Sequence, residues 1–358
     1  MSETLEYKCP CCGGAIVFDS RSQKLKCPYC DTEFEVDALR EYSSHGETDE
    51  EPEWDSMQVE RPSERLEADG TLDAYQCESC GGEIVADANT AATSCPYCGN
   101  PVIVKKQFEG MLRPELVIPF KLDKKQAEQN LKEHLRGKAL LPKIFKTENR
   151  IREVKGLYVP FWLYDSDAEA DIRCHATRVR NWRSGDYEYT ETAHFLVTRS
   201  GEISFDEVPA DGSEKMPDDL MESIEPFRYE DAVEFQTAYL AGYYADRYDV
   251  SAKECAPRTN ERMRQSTERA FLNTIHGYTT CLPQHTDIRL RQGRIRYAFL
   301  PVWVLSTKYR DQVYTFAMNG QTGKFVGDLP ADKGRAAGIA AGVFAAAFAL
   351  TFLLLGLL

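Results

Sequence analysis

Hydrophobic and polar positions divide this chain into five stretches of different periodicity. Two of them, 7–37 and 75–105, carry short alternating runs (AIVF, EFEV, EIVA and PVIV) that predict short strands. The segment between them, 38–74, has almost no apolar periodicity. From 111 to 330, helical and strand patterns interleave. One helix is predicted from a capping box at Asp123 and Gln126, with Ala127, Leu131 and Leu135 on one stripe and a stop at Gly137. Residues 230–247 and 260–276 also read as helical, the latter with Met263, Ala270, Phe271 and Ile275 apolar and Gly277 at its end. Tyr239, Tyr243, Tyr244 and Tyr248 make an aromatic stripe on the former, with core packing as its expected role. Alternation over 155–164, 168–179, 187–198, 202–208, 286–292, 294–306, 310–318 and 322–328 predicts antiparallel sheet. The final stretch, 336–358, is 23 residues without a charge. As a helix it would span roughly 34 Å, so one tilted membrane crossing is predicted.

The central stretch echoes itself. Pro119-Phe120-Lys121-Leu122-Asp123 recurs as Pro226-Phe227-Arg228-Tyr229-Glu230, and Val159-Pro160-Phe161-Trp162-Leu163 as Leu300-Pro301-Val302-Trp303-Val304, at offsets of 107 and 141. The expected fold class is therefore multi-domain: two small β ribbons, a duplicated α+β body with antiparallel sheets (111–225 and 226–330), and one C-terminal transmembrane helix.

The cysteines add chemistry to this frame. Cys9, Cys12, Cys27 and Cys30 form two C-x-x-C turns separated by fourteen residues, and Cys77, Cys80, Cys95 and Cys98 repeat that spacing 68 residues later. Each turn offers two sulfurs from one tight knuckle, and two turns at a fixed separation complete a tetrahedral thiolate set, so the pattern predicts two zinc ions per chain. Gly13 and Gly81 stand where a knuckle needs positive φ; Asp31 replaces glycine after Cys30, and Cys11 is a spare thiol. A ribbon of this size has little core, so metal must supply much of its folding free energy. The tetrapeptide CPYC, present twice, also occurs in disulfide oxidoreductases, but here each copy has an upstream C-x-x-C partner. Cys174, Cys255 and Cys281 read as small buried hydrophobes.

Charge then narrows the function classes. The net charge is −14, and 41–73 holds twelve acids against Arg61 and Arg65, the composition of a flexible acidic linker in which Trp54 and Met57 alone would suit docking. Residues 1–40 carry five bases and seven acids, and 74–107 two bases and three acids, so neither ribbon has a basic footprint and nucleic acid is disfavoured as a partner. Gly320–Lys324 (GQTGK) has the wrong spacing for a phosphate loop and reads as a hairpin turn. His134, His175, His194, His276 and His285 form no catalytic motif, and Asp165, Asp167, Glu169 and Asp171 alternate without the rest of a calcium loop. An enzyme is not expected. Lys333 and Arg335 precede the apolar tail, which predicts a single-pass protein of the cytoplasmic membrane with its N-terminal bulk cytoplasmic, where thiolates stay reduced. Gly338 and Gly342 permit helix pairing and hence a homo-oligomer.

The paired ribbons, the phrases VPFWLYD (159–165), DEVPADGSEKMPDDLMESIEPF (206–227) and AYLAGYYADRYDV (238–250), and the apolar terminus together resemble a bacterial family of tandem TFIIB-type zinc-ribbon membrane proteins, often labelled primosomal or helicase-like. The resemblance covers nearly the whole chain. It implies a membrane-anchored adaptor or scaffold, in some members paired with PspA-like and SPFH or virion-core-like envelope-stress proteins. The alternatives are a membrane-tethered nucleic-acid-binding regulator and an enzyme of unrecognised chemistry.

Overall fold

The structure is a computed structural model that describes residues 9, 15–29, 32–36, 54, 65–66, 72–87, 90, 94–100, 103–106, 111–291, 293–310 and 312–356. Its strands in chain order are β1 (Val17–Asp19), β2 (Lys24–Lys26), β3 (Glu33–Phe34), β4 (Arg65–Leu66), β5 (Leu72–Cys77), β6 (Glu83–Asp87), β7 (Ile103–Lys106), β8 (Met111–Leu112) and β9 (Leu116–Val117). They continue with β10 (Lys155–Ser184), β11 (Tyr187–Asp211), β12 (Val233–Glu234), β13 (Tyr244–Asp246), β14 (Thr280–Leu290), β15 (Ile295–Tyr309), β16 (Gln312–Asn319) and β17 (Phe325–Gly327). The helices are α1 (Lys124–Leu135), α2 (Glu148–Ile151), α3 (Asp218–Ser223), α4 (Ala252–Leu272) and α5 (Lys333–Gly356). Two compact units emerge. One comprises residues 1–54, 164–208 and 256–294, the other 55–163, 209–255 and 295–358.

In the second unit the strand order is β12-β9-β15-β10-β13-β6-β5-β7, with β16 and β17 added beyond β15. Most neighbours are antiparallel, but two pairs are parallel: Leu116 and Val117 lie beside Ala298 and Phe299, and Leu157 and Tyr158 beside Tyr244 and Ala245. The core is Leu157, Val159, Phe161, Leu163, Leu300, Val302 and Val304, the inward positions of two buried strands, packed on Ile224, Phe227 and Tyr244. The four-cysteine segment is part of this sheet, because β6 pairs with β13 and Cys77, Ile84, Cys95 and Tyr97 belong to the same core.

The parallel pairs are the signature of an exchange between the two halves of the body. Trp303 Nε1 donates to the Leu122 carbonyl at 3.2 Å, and Trp162 Nε1 to the Val250 carbonyl at 2.9 Å. Phe120 meets Trp303 edge-on at 5.1 Å, and Tyr248 meets Trp162 at 5.2 Å. Gly320 N–H donates to Pro301 and its carbonyl accepts from Lys121 and Leu122; Gly212 does the same with Pro160, Asp249 and Val250. The strand-and-cap segment of each half thus packs on the hairpin of the other. Both helices carry one capping box, Asp123 with Gln126 for α1 and Ser251 with Glu254 for α4. The correspondence is therefore Leu122 with Val250, an offset of 128 instead of 107, while the echo of 159–163 in 300–304 keeps its 141.

In the first unit, β14 runs antiparallel to β10 over Ala168–Thr177, with a bulge at Arg173/Cys174, and β11 pairs with β10. Ala170, Ile172, Cys174, Ala176 and Val197 pack there on Phe271, Leu272 and Ile275. A separate three-stranded sheet, β1-β2-β3, has Cys9, Cys27 and Phe34 as its core, closed by Leu196 of β11.

Several expectations need correction. Residues 230–247 are not a helix: Gly242 takes φ +82, which ends a short turn at Thr237–Leu240, and the chain then extends into β13. Tyr243 instead stacks on Phe120 at 4.1 Å. The fold is mostly sheet, mixed in the second unit, where an α+β body with antiparallel sheets was expected. The transmembrane helix is also overturned. Residues 333–356 are helical, but no helix among the described residues is long and apolar enough to cross a membrane. That helix opens with Lys333 and Arg335, and among its described side chains only Ile339, Val343, Phe344 and Phe348 are large and apolar, the rest being chiefly alanine and glycine. The single-pass placement in the cytoplasmic membrane rested on that crossing and falls with it. The acidic stretch 38–74 lies mostly outside the described residues. Within it Trp54 is buried, meets Tyr164 edge-on at 5.1 Å and donates to Asn260 Oδ1 at 3.0 Å.

Candidate metal centre

The chain builds two matching knuckles from β5 into β6 and from Cys95 to Asn100. In the first, Cys77 N–H donates to the Gly82 carbonyl at 2.9 Å and Gly81 N–H returns to the Cys77 carbonyl at 2.9 Å. In the second, Cys95 N–H reaches the Asn100 carbonyl at 2.8 Å and Gly99 N–H the Cys95 carbonyl at 3.1 Å. Gly81 and Gly99 take φ +70 and +72, the left-handed conformation that closes such a turn. Gly82 is needed for a different reason: a Cβ there would lie 2.6 Å from the Tyr97 ring, which packs across the first knuckle from the second.

The knuckles bring Cys77, Cys80, Cys95 and Cys98 together with all four Sγ atoms within 4.8 Å of one another. Cys77 and Cys98 are 3.6 Å apart, as are Cys80 and Cys95. Burial, with the neighbouring cysteine sulfurs adding to it, pushes the Cys80 and Cys95 thiols above their ordinary range, Cys95 strongly. At Cys77 burial acts the same way, but the backbone N–H groups of Cys80 and Ser79 together with the Cys98 and Cys80 sulfurs outweigh it and the thiol is lowered. Four converging sulfurs in such a site can hold a metal ion, whose charge would favour all four thiolates.

Residues remote in sequence fix the knuckles. Lys215 Nζ donates to the Cys80 carbonyl at 3.1 Å, and its N–H to Ser213 Oγ. Lys155 donates to the Ser94 hydroxyl and carbonyl and stands 5.8 Å over the Tyr244 ring; burial pushes it down to about 8, opposed by Cys95. Beneath Tyr97, the buried Asp246 accepts from Ser213 Oγ at 2.5 Å; burial, partly offset by that bond, raises its carboxyl to about 7. Lys215 and Ser213 come from the phrase 206–227 and Asp246 from 238–250, so those phrases hold metal-site supports that cysteine spacing alone does not reveal.

Of the other expected ligands, Cys9 and Cys27 are buried together in the core of the first cysteine segment, whereas Cys12 and Cys30 lie outside the described residues, as do Cys11, Gly13 and Asp31. Three of the four alternating carboxylates have partners within the chain. Asp165 accepts from Glu207 N–H at 2.8 Å, Asp171 from Arg173 and Ser200, and Glu169 pairs with Arg291 at 3.1 Å. His175 Nε2 lies 2.9 Å from His194 Nδ1. Gly320–Lys324 is the β16–β17 turn, with Gly323 at φ +80.

Fold and site define a sheet-rich protein with a four-cysteine group that could hold a metal ion. Over 235 residues, 66% of this chain and 69% of the relative, the sequence is 39% identical to a Bacillus subtilis (strain 168) protein described as "Uncharacterized protein YdjG", and the chain belongs to that protein's family. No family model and no solved structure matches the chain significantly.

Proposed function

We propose that this protein is a zinc-braced adaptor that carries no chemistry of its own and presents its folded surfaces to protein partners. The observation that supports this most is the sulfur geometry. Tetrahedral zinc with Zn–S near ~2.3 Å has ligand edges of roughly 3.8 Å, close to the 3.6 Å pairs of Cys77 with Cys98 and Cys80 with Cys95. Four cysteine ligands fill the coordination shell and leave no position for water or substrate, the hallmark of a structural site. A second zinc is assigned to Cys9, Cys12, Cys27 and Cys30. In support, Cys27 N–H donates to the Thr32 carbonyl at 3.0 Å, the same five-residue closure that both knuckles of the other site use. The family resemblance in the cysteine and body motifs supplies the partner class, proteins of the PspA-like and SPFH or virion-core-like kind.

Metal analysis of the native full chain should give two zinc ions. Cys98→Ser should leave one and Cys11→Ser two. A PspA-like or SPFH-type protein should bind the wild type and lose most of its affinity for Cys98→Ser. A native preparation with intact cysteines but fewer than two zinc ions removes the second site or both, and partner binding that is indifferent to zinc overturns the adaptor reading.

A further inference from the structure

Strand β10 outruns its neighbour. β14 accompanies it from Ala168 to Thr177, whereas β10 continues to Ser184 and turns through Gly185 (φ +61) into β11. From Arg178 to Thr192 every residue is exposed, and beyond Val179 no described residue packs over this arm, a two-stranded ribbon. Such a ribbon is marginal in water unless another surface covers it.

Its side chains are those of an interface. Trp182, Tyr187 and Tyr189 are 43%, 71% and 44% exposed. Trp182 stacks on Tyr189 at 5.5 Å and 9°, and the Arg180 guanidinium lies 5.9 Å from the Trp182 ring centre. Aromatic groups paired with arginine and left open to solvent are what protein-binding patches are made of.

The charges of the arm are sorted by side. Arg178, Arg180 and Arg183 lie on β10 with no acid among them, and Asp186, Glu188 and Glu191 follow the turn with no base among them. Arg178 is engaged by the Gly277 carbonyl and the Phe195 and Tyr278 rings. Among the described residues, Arg180, Arg183, Asp186, Glu188 and Glu191 have no ion-pair partner. Side chains alternate across a strand, so Arg180 shares the face of Trp182 and Glu191 shares the face of Tyr187 and Tyr189, whereas Arg183 and Glu188 face the other way; a two-fold axis running along the arm lays Arg180 of one copy over Glu191 of the other. The same operation buries both sets of aromatic rings. Two chains of net charge −14 repel elsewhere, while the arm, with its charges in balance, lets them approach. A polyanion would meet three acids beside three arginines, which disfavours nucleic acid and anionic lipid.

We infer that the arm from Arg178 to Thr192 is a self-association surface that docks on the same arm of a second copy of this chain. This does not depend on the metal assignment.

Sedimentation equilibrium of the full chain at low ionic strength should show a dimer. A basic-side variant (Arg180→Glu) and an acidic-side variant (Glu191→Lys) should each weaken self-association at least tenfold, and an equimolar mixture of the two should restore a one-to-one heterodimer. That restoration separates lost complementarity from a fold damaged by substitution. A monomeric wild type at micromolar concentration overturns the inference, as do charge-reversed variants that associate like the wild type or a mixture that stays monomeric. A monomeric chain that instead binds anionic vesicles or single-stranded oligonucleotide through Trp182 also overturns it.

Discussion

Asp246 is the residue where burial and titration meet most directly. Its carboxyl titrates near pH 7 in the fold, against 3.8 for the ordinary group, because burial penalises the charged form more than the Ser213 hydroxyl rewards it. The folded chain therefore binds this proton more tightly than the unfolded chain does, so the contribution of Asp246 to stability is fullest below about pH 4. It declines as pH rises towards 7 and levels off above that. Asp246→Asn, whose amide keeps the hydrogen-bonding volume, should remove this decline. The check is denaturant unfolding of both proteins between pH 5 and 8 with metal held in excess; parallel stability curves would place the pH lever elsewhere. Asp246 could not be picked from the sequence, where it is one of 57 acids. The cysteines could, because a chelating pair must be close in sequence to share a turn. Their supports, Lys155, Ser213 and Lys215, obey no spacing rule and are brought in by sheet pairing.

At the level of elements, the body is legible where a signal is local. The capping box at Asp123 and Gln126 forms as predicted, with Ala127, Leu131 and Leu135 buried beneath it and Gly137 at φ +75 after it. The segment 230–247 reads as helical yet is not a helix, because Gly242 at positive φ redirects the chain into an extended strand. The exchange between the halves adds a constraint that neither element shows alone. A Cβ on Gly320 would lie 2.7 Å from the Phe120 ring, and one on Gly212 3.0 Å from Trp162 Nε1. Gly320→Ala should cost on the order of 1–3 kcal/mol through overpacking, with Gly212→Ala smaller. Thermal unfolding of the two variants beside the wild type tests this. Equal and negligible effects would mean that the tryptophan junctions relax freely.

Across the second unit, the four-cysteine segment is continuous with the body. β6 hydrogen-bonds to β13, β13 to β10, and Cys77 and Cys95 share a core with Phe161 and Leu300. Two C-x-x-C turns on a short segment read as a self-contained ribbon that would unfold alone; the pairing couples it to the long strands instead. Stripping metal with a chelator should therefore accelerate amide exchange in β13 and around Leu157–Tyr158 as well as in β5 and β6, by roughly the factor expected from loss of a folding-linked ligand. Exchange that rises only between 72 and 106 would restore the independent ribbon.

By itself the sequence determined what local chemistry dictates: the grouping of Cys77, Cys80, Cys95 and Cys98, the knuckle glycine at Gly81, the helix cap at Asp123, and the repeated tryptophans at Trp162 and Trp303. Each depends on atoms a few residues apart, so spacing carries the information. The tertiary structure decided which half each segment joins, because parallel pairing of Leu116–Val117 with Ala298–Phe299 and of Leu157–Tyr158 with Tyr244–Ala245 depends on contacts more than eighty residues apart that no periodicity encodes. It also decided the place of Trp54. In sequence it is an isolated aromatic in an acidic run, yet it is buried against Tyr164 and Asn260, where the indole gains an apolar contact and its N–H is satisfied.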